Sequence, residues 1–203
     1  SACTAWASRC TSRWWARWRA AAWSAPAASI NSGNLWIGAS NGLTKIRKEN
    51  GIYIAEEVLP GVTVNELANS NDSRIYAGTS SGIKVIDAES SNILKEYRKD
   101  LSKPGSLPED LILSMSIDKR GNLWAGTYAG VSLLKQGTDE FVQYSKKLNE
   151  ENSIINNYVY SIIEHEGKMY FGTAGGLSVF DGTSFHNFTS QNGLPDQVVN
   201  SLA

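Results

Sequence analysis

The sequence predicts an all-β fold, a β-propeller built from four-stranded antiparallel blades, about four of which fit in 203 residues. Three observations predict it. One motif recurs four times, its anchor glycines Gly38, Gly78, Gly126 and Gly172 spaced 40, 48 and 46 residues apart, a period typical of propellers and related arrays. The longest apolar runs are strand-sized, far short of the roughly 20 residues that span a bilayer. The body of the chain is rich in Gly, Asn, Ser, Ile, Val and Tyr, which suits short strands joined by tight turns.

The motif runs over 33–43, 73–83, 121–131 and 167–177. It reads aliphatic, aromatic, apolar, Gly, Thr or Ala, two variable residues, Gly, aliphatic. Its first half, such as Leu35-Trp36-Ile37, is apolar throughout, as expected of a strand covered on both faces. The aromatic position (Trp36, Tyr76, Trp124, Tyr170) supplies area for packing between blades. At the anchor Gly a side chain would meet the adjacent blade. The second Gly (Gly42, Gly82, Gly130, Gly176) ends a turn that favours positive φ, and a new strand follows it. Upstream strands are expected over 62–68, 111–117 and 158–164, and a fourth strand per unit over 52–55, 93–97, 140–144 and 184–188. Each unit is then a four-stranded meander that must pack on its neighbours.

The ends of the repeat array leave two readings open. Only Ser29-Ile30 remains of a first innermost strand, while 198–202 resembles an extra one. That segment either closes a four-bladed ring with the first unit or opens a fifth blade. Four-bladed rings are the small extreme of the architecture, so a fragment of a larger propeller is the preferred reading.

Residues 1–28 are read as separate from the blades of 29–203. Up to residue 29 the chain holds five of the seven Trp, both Cys and four Arg, and no acidic residue. The spacing of Trp14, Trp15 and Trp18 with Arg13 and Arg17 fits a basic amphipathic helix. The blander reading, an artefact or out-of-frame translation, is preferred, and the segment is set aside from functional reasoning. It lacks the aliphatic stretch of a signal peptide. The net charge of −1 gives no global basic field for nucleic acid, and no cofactor motif is present.

The segments 33–38 (Gly-Asn-Leu-Trp-Ile-Gly) and 121–127 (Gly-Asn-Leu-Trp-Ala-Gly-Thr) resemble the two-component regulator propeller repeat. So do the lead-ins over 192–202 and 106–118. Tyr76 and Tyr170 replace the usual Trp, and Ser73-Arg74 and Gly167-Lys168 replace Gly-Asn, without loss of aromatic bulk or turn chemistry. The resemblance covers about 175 residues and rests on repetition. It implies an extracytoplasmic, periplasmic location and a role in the sensor region of a bacterial hybrid histidine kinase, with glycan fragments as signals. It also implies neighbouring propeller and immunoglobulin-like domains in a parent chain; a homodimer is a separate expectation for the partner. No kinase or receiver motif occurs in these residues.

Catalytic constellations are thin. His165 and His186 have no partner motif, and the acidic pairs, such as Glu109-Asp110, read as solvated surface. Gly172-Thr-Ala-Gly-Gly176 lacks the lysine and helix of a phosphate loop. A ligand site is expected on the face shared by the second-to-third-strand turns and the connections between blades, because long loops on a rigid scaffold carry recognition. The candidate ligand-binding residues are Tyr128, Asn156, Asn157, Tyr158 and Asn41, which join aromatic area to amide hydrogen bonds and so suit an oligosaccharide. No residue is assigned to catalysis or to a metal. The rival readings are a structural spacer or dimerisation propeller, and a polysaccharide-acting lyase or hydrolase.

Overall fold

A computed structural model describes residues 27–203 except 32 and 71. The amphipathic pattern of Trp14 to Trp18 and both cysteines lie outside the described residues. Sixteen strands form four sheets of four. Blade I contains β1 (Ala27–Asn31), β2 (Asn34–Ala39), β3 (Gly42–Glu49) and β4 (Ile52–Glu57). Blade II contains β5 (Val64–Asn69), β6 (Arg74–Thr79), β7 (Gly82–Asp87) and β8 (Ile93–Tyr97). In blade III these are β9 (Ser114–Ile117), β10 (Leu123–Thr127), β11 (Gly130–Leu134) and β12 (Phe141–Tyr144). Blade IV has β13 (Val159–His165), β14 (Lys168–Thr173), β15 (Gly176–Phe180) and β16 (Phe185–Phe188). Every pairing within a blade is antiparallel between consecutive strands, as the meander reading requires.

The inner strands β1, β5, β9 and β13 pack side by side in chain order, whereas β1 and β13 lack the close packing that links consecutive blades. The four blades are therefore an open arc of a propeller and not a closed ring. Burial of the motif strand differs between blades. In blade III, which has neighbours on both sides, Leu123, Trp124 and Ala125 are all buried; at the end of the arc Leu35 and Ile37 are only half-buried around Trp36. Among the described residues two covered faces are found for β10 of blade III and not for β2 of blade I.

The seams between blades are apolar and built to one plan. A side chain from each lead-in plugs the seam: Leu59, Leu107 and Ile154 are almost wholly buried. Five residues further on, Val64, Ile112 and Val159 are fully buried against the preceding blade. The anchor glycines lie under these residues. A Cβ on Gly126 would stand 2.4 Å from the Ser114 hydroxyl oxygen and 2.9 Å from the backbone oxygen of Val159. Gly78 and Gly172 are crowded in the same way by Ile112 and Val199. The repeated threonine has a purpose as well. Its hydroxyl donates to the carbonyl of the turn glycine (Thr79 to Gly82, 2.7 Å; Thr127 to Gly130, 3.1 Å; Thr173 to Gly176, 2.8 Å) and accepts a turn N–H, pinning the hairpin from inside. Ala39 stands at this position in blade I.

Two expected strands differ most from what is found. β9 starts at Ser114, not 111, because Ile112 donates its N–H to Thr79 of blade II at 3.0 Å before the chain joins blade III. Residues 198–202 form no strand. Val199 donates to Thr173 at 2.9 Å, as Ile112 does to Thr79, but the other inner strands are laddered to a second strand of their own blade and no strand pairs with 198–202.

Candidate functional site

Strand alternation brings the β2–β3, β6–β7, β10–β11 and β14–β15 turns to one face, together with the connections between blades. The connection 145–158 is anchored along its length. Ile154 is buried in the III–IV seam. Ser153 donates to the Glu150 carbonyl, the Asn187 amide donates to the Ser153 carbonyl, and Phe185 donates its N–H to the Asn152 side chain. Asn157 ties the loop at both ends, its side-chain oxygen accepting from Lys146 N–H at 2.6 Å and its backbone carbonyl from Gly130 N–H at 2.9 Å.

This anchoring brings four of the five expected residues together at the III–IV junction. Tyr128, from the β10–β11 turn, meets Tyr158 edge to face, with ring centroids 5.0 Å apart and planes at 80°. Both rings reach solvent, at 36% and 47% exposure. Tyr158 precedes β13 and is not a core residue. Asn156 accepts the Tyr158 N–H at 2.9 Å, and Gly175 leaves room for it, since a Cβ there would stand 3.1 Å from that of Asn156. The side-chain oxygens of both asparagines thus accept backbone N–H groups, so the remaining hydrogen-bonding group of each side chain is its NH₂ donor. Asn41 lies apart, in the β2–β3 turn of blade I, where its backbone carbonyl accepts from Gly61. No hydrogen bond or ring contact among the described residues joins it to the other four.

The histidines sit at the opposite end or on the rim. His165 is exposed beside Glu166 (3.8 Å), and His186 beside Asp181 (3.5 Å). The Asp181 carboxylate is held well below its usual pKa by backbone and hydroxyl donors from Ser184 and Thr183, the role of a turn-former. No group of three His, Cys, Asp or Glu able to hold a metal occurs among the described residues, and no helix there is long and apolar enough to cross a membrane.

Glu66 was not legible as special. It faces Gly78 on β5, where blades III and IV place Ser114 and Ser161 opposite Gly126 and Gly172. Burial pushes its carboxyl pKa up, partly opposed by the Leu67 N–H it accepts at 3.1 Å. A folded pKa above the unfolded one means that the destabilising charge is absent while both states are protonated. The penalty sets in as pH rises through the ordinary value of 4.5 and is complete above the folded pKa. Glu66→Gln keeps an acceptor for Leu67. It is expected to melt above the parent at neutral pH and to lose that advantage near about pH 4. An advantage that persists in acid would place its origin elsewhere.

Residues 106–129, the lead-in and motif of blade III, match the family model of the two component regulator propeller. No curated protein matches the chain. Among solved structures it is similar to the extracellular domain of the hybrid two component system BT3049 of B. thetaiotaomicron, at 25% identity and a TM-score of 0.66 over 84% of this chain and 24% of that one. It is similar in fold to the extracellular domain of the one component system BT4673 of the same organism (18% identity, TM-score 0.51, 86% of this chain and 29% of that one). The WD40 β-propeller domain of Doa1 shares the fold at 15% identity and a TM-score of 0.54, over 84% of this chain and 52% of that one. The chain thus spans about a quarter of the length of the two regulator domains it matches. The repeat motif and the blade geometry agree on a segment of a β-propeller, and its third blade matches the model of the two component regulator propeller.

Proposed function

We propose that this chain is an extracytoplasmic ligand-sensing segment of a bacterial two-component regulator, that its signal is a glycan fragment, and that it binds without catalysing a reaction. The extracytoplasmic location is supported by the similar domains, whose descriptions place them outside the cell. The parent would carry further propeller blades and an immunoglobulin-like domain that relay the signal. The observation that carries the ligand reading is the exposed Tyr128–Tyr158 pair flanked by the Asn156 and Asn157 amides. Aromatic faces accept the C–H face of a sugar ring, and amide N–H groups donate to its hydroxyl oxygens.

Thermal unfolding against oligosaccharides tests this. A ligand at 100 times its Kd adds about 2.7 kcal/mol, and each kcal/mol moves the midpoint of a domain this size by roughly 2–4 °C. The double variant Tyr128→Ala/Tyr158→Ala is expected to melt close to the parent, because both rings are exposed, and to lose the part of the ligand shift that this face contributes. A shift of full size in that variant would remove the site from this face. No shift with any glycan in the parent would favour the spacer reading.

A further inference from the structure

The III–IV seam is packed with large buried side chains: Trp124, Leu133, Met169, Phe171 and Phe180. One repeat earlier, the same five positions of the II–III seam hold Tyr76, Val85, Leu123, Ala125 and Leu134. Every one of the five is smaller or no larger. The I–II seam is closed differently, by Trp36 and the buried stem of Lys45, whose ammonium lies 5.3 Å from the Trp36 ring and donates to the Glu89 carbonyl at 2.7 Å. The II–III seam is left with a cleft, of about 430 Å³, opening on the side away from the connections. Tyr97 and Asp139 divide it from a second cleft of about 260 Å³.

The walls of the larger cleft are amphipathic. The half-buried Tyr76 and Tyr97 supply ring area, and Leu94 an exposed aliphatic edge. Two ion pairs frame the mouth. Asp72 and Arg74 stand 3.4 Å apart on blade II, and Lys95 of blade II reaches across to Asp139 of blade III with its ammonium 5.0 Å from the Tyr97 ring. The Lys95 hydrogen bond holds the Asp139 carboxyl below its usual range, so that carboxylate is an acceptor at neutral pH. Gln136 and Thr138 add neutral polar groups.

We propose that the cleft between blades II and III is a second ligand site that takes a neutral saccharide of one or two rings. Its volume lies within the range of small-molecule sites, about 300–1,000 Å³. Tyrosine faces suit the C–H faces of a pyranose, while carboxylates accept from hydroxyls and the guanidinium donates to them. Because the acids are already paired with cations, an acidic sugar gains no unopposed charge and must compete with Asp72 and Asp139. The site is independent of the Tyr128–Tyr158 face, which belongs to a different seam and the opposite side.

The test follows tyrosine ring resonances of the chain titrated with maltose, cellobiose and xylobiose, with digalacturonate as the acidic comparator. A neutral disaccharide is expected to shift Tyr76 and Tyr97 saturably. Leu134→Phe, which restores the bulk of Phe180, should abolish those shifts and leave any response of Tyr128 and Tyr158 intact. Arg74→Ala, an exposed change that leaves the core untouched, should weaken binding about tenfold. The proposal is overturned if no neutral disaccharide moves Tyr76 and Tyr97, if digalacturonate alone does, or if affinity survives unchanged in either variant. Shifts confined to Tyr128 and Tyr158 would support the first site and remove this one.

Discussion

Gly130→Ala is expected to destabilise the chain by about 3 kcal/mol or more, against about 1 kcal/mol for Gly137→Ala. Gly130 has φ +114°, outside the small left-handed region that other residues visit. A Cβ there would stand 2.3 Å from the Tyr144 carbonyl oxygen. Nothing near it is free to yield. Tyr144 is paired to Val131 in the β11–β12 ladder, the Gly130 N–H is held by Asn157, and its carbonyl by the Thr127 hydroxyl. Strain and overlap therefore add. Gly137 has φ +78° and no heavy atom within 4 Å of the place a methyl group would take, so only strain remains. Urea unfolding of the two variants checks the difference. Equal losses would mean that the hairpin shifts as a unit and that the crowding is not felt.

The blades were legible because each motif position has one local cause. An apolar run bounded by two glycines gives a hairpin whatever surrounds it, and four copies leave little room for another fold. Tyr128 and Asn156 to Tyr158 could be brought together on paper because strand alternation alone puts a turn and a connection on one face. Asn41 met the same criterion and still lies apart, because sharing a face does not fix the distance around the arc. The start of β9 was misplaced because Ile112 is held by the neighbouring blade, a partner that hydrophobic pattern does not reveal. The II–III cleft was invisible for a related reason. Its signal was present, Ala125 against Phe171 and Leu134 against Phe180 one repeat on, but reading it requires knowing which residues of two blades face each other. Glu66 is of the same kind, an acid in a slot where the next two repeats carry serine.

Trp124→Ala should cost about 3–5 kcal/mol, and Tyr76→Ala, the same position one blade earlier, less than half of that. Trp124 is almost wholly buried, with ring centroids 5.9 Å from Tyr144, 5.7 Å from Phe171 and 5.9 Å from Phe180. Its indole N–H donates to Asp118 at 2.9 Å. Truncation leaves a cavity walled by rings that the sheets hold in place, together with a carboxylate that loses a donor. Tyr76 lines a cleft that water already reaches, so its removal widens open space and creates little new void. The effect should also reach the recognition face. Ile154, which anchors the connection carrying Asn156 to Tyr158, lies in the Trp124 cluster, and that loop in turn holds the Gly130 N–H. Hydrogen exchange at the Gly130 and Tyr158 amides should accelerate in Trp124→Ala and stay at parental rates in Tyr76→Ala. If both variants loosen these amides equally, the blades unfold as one cooperative unit, and the tight seam gives the tyrosine pair no rigidity of its own.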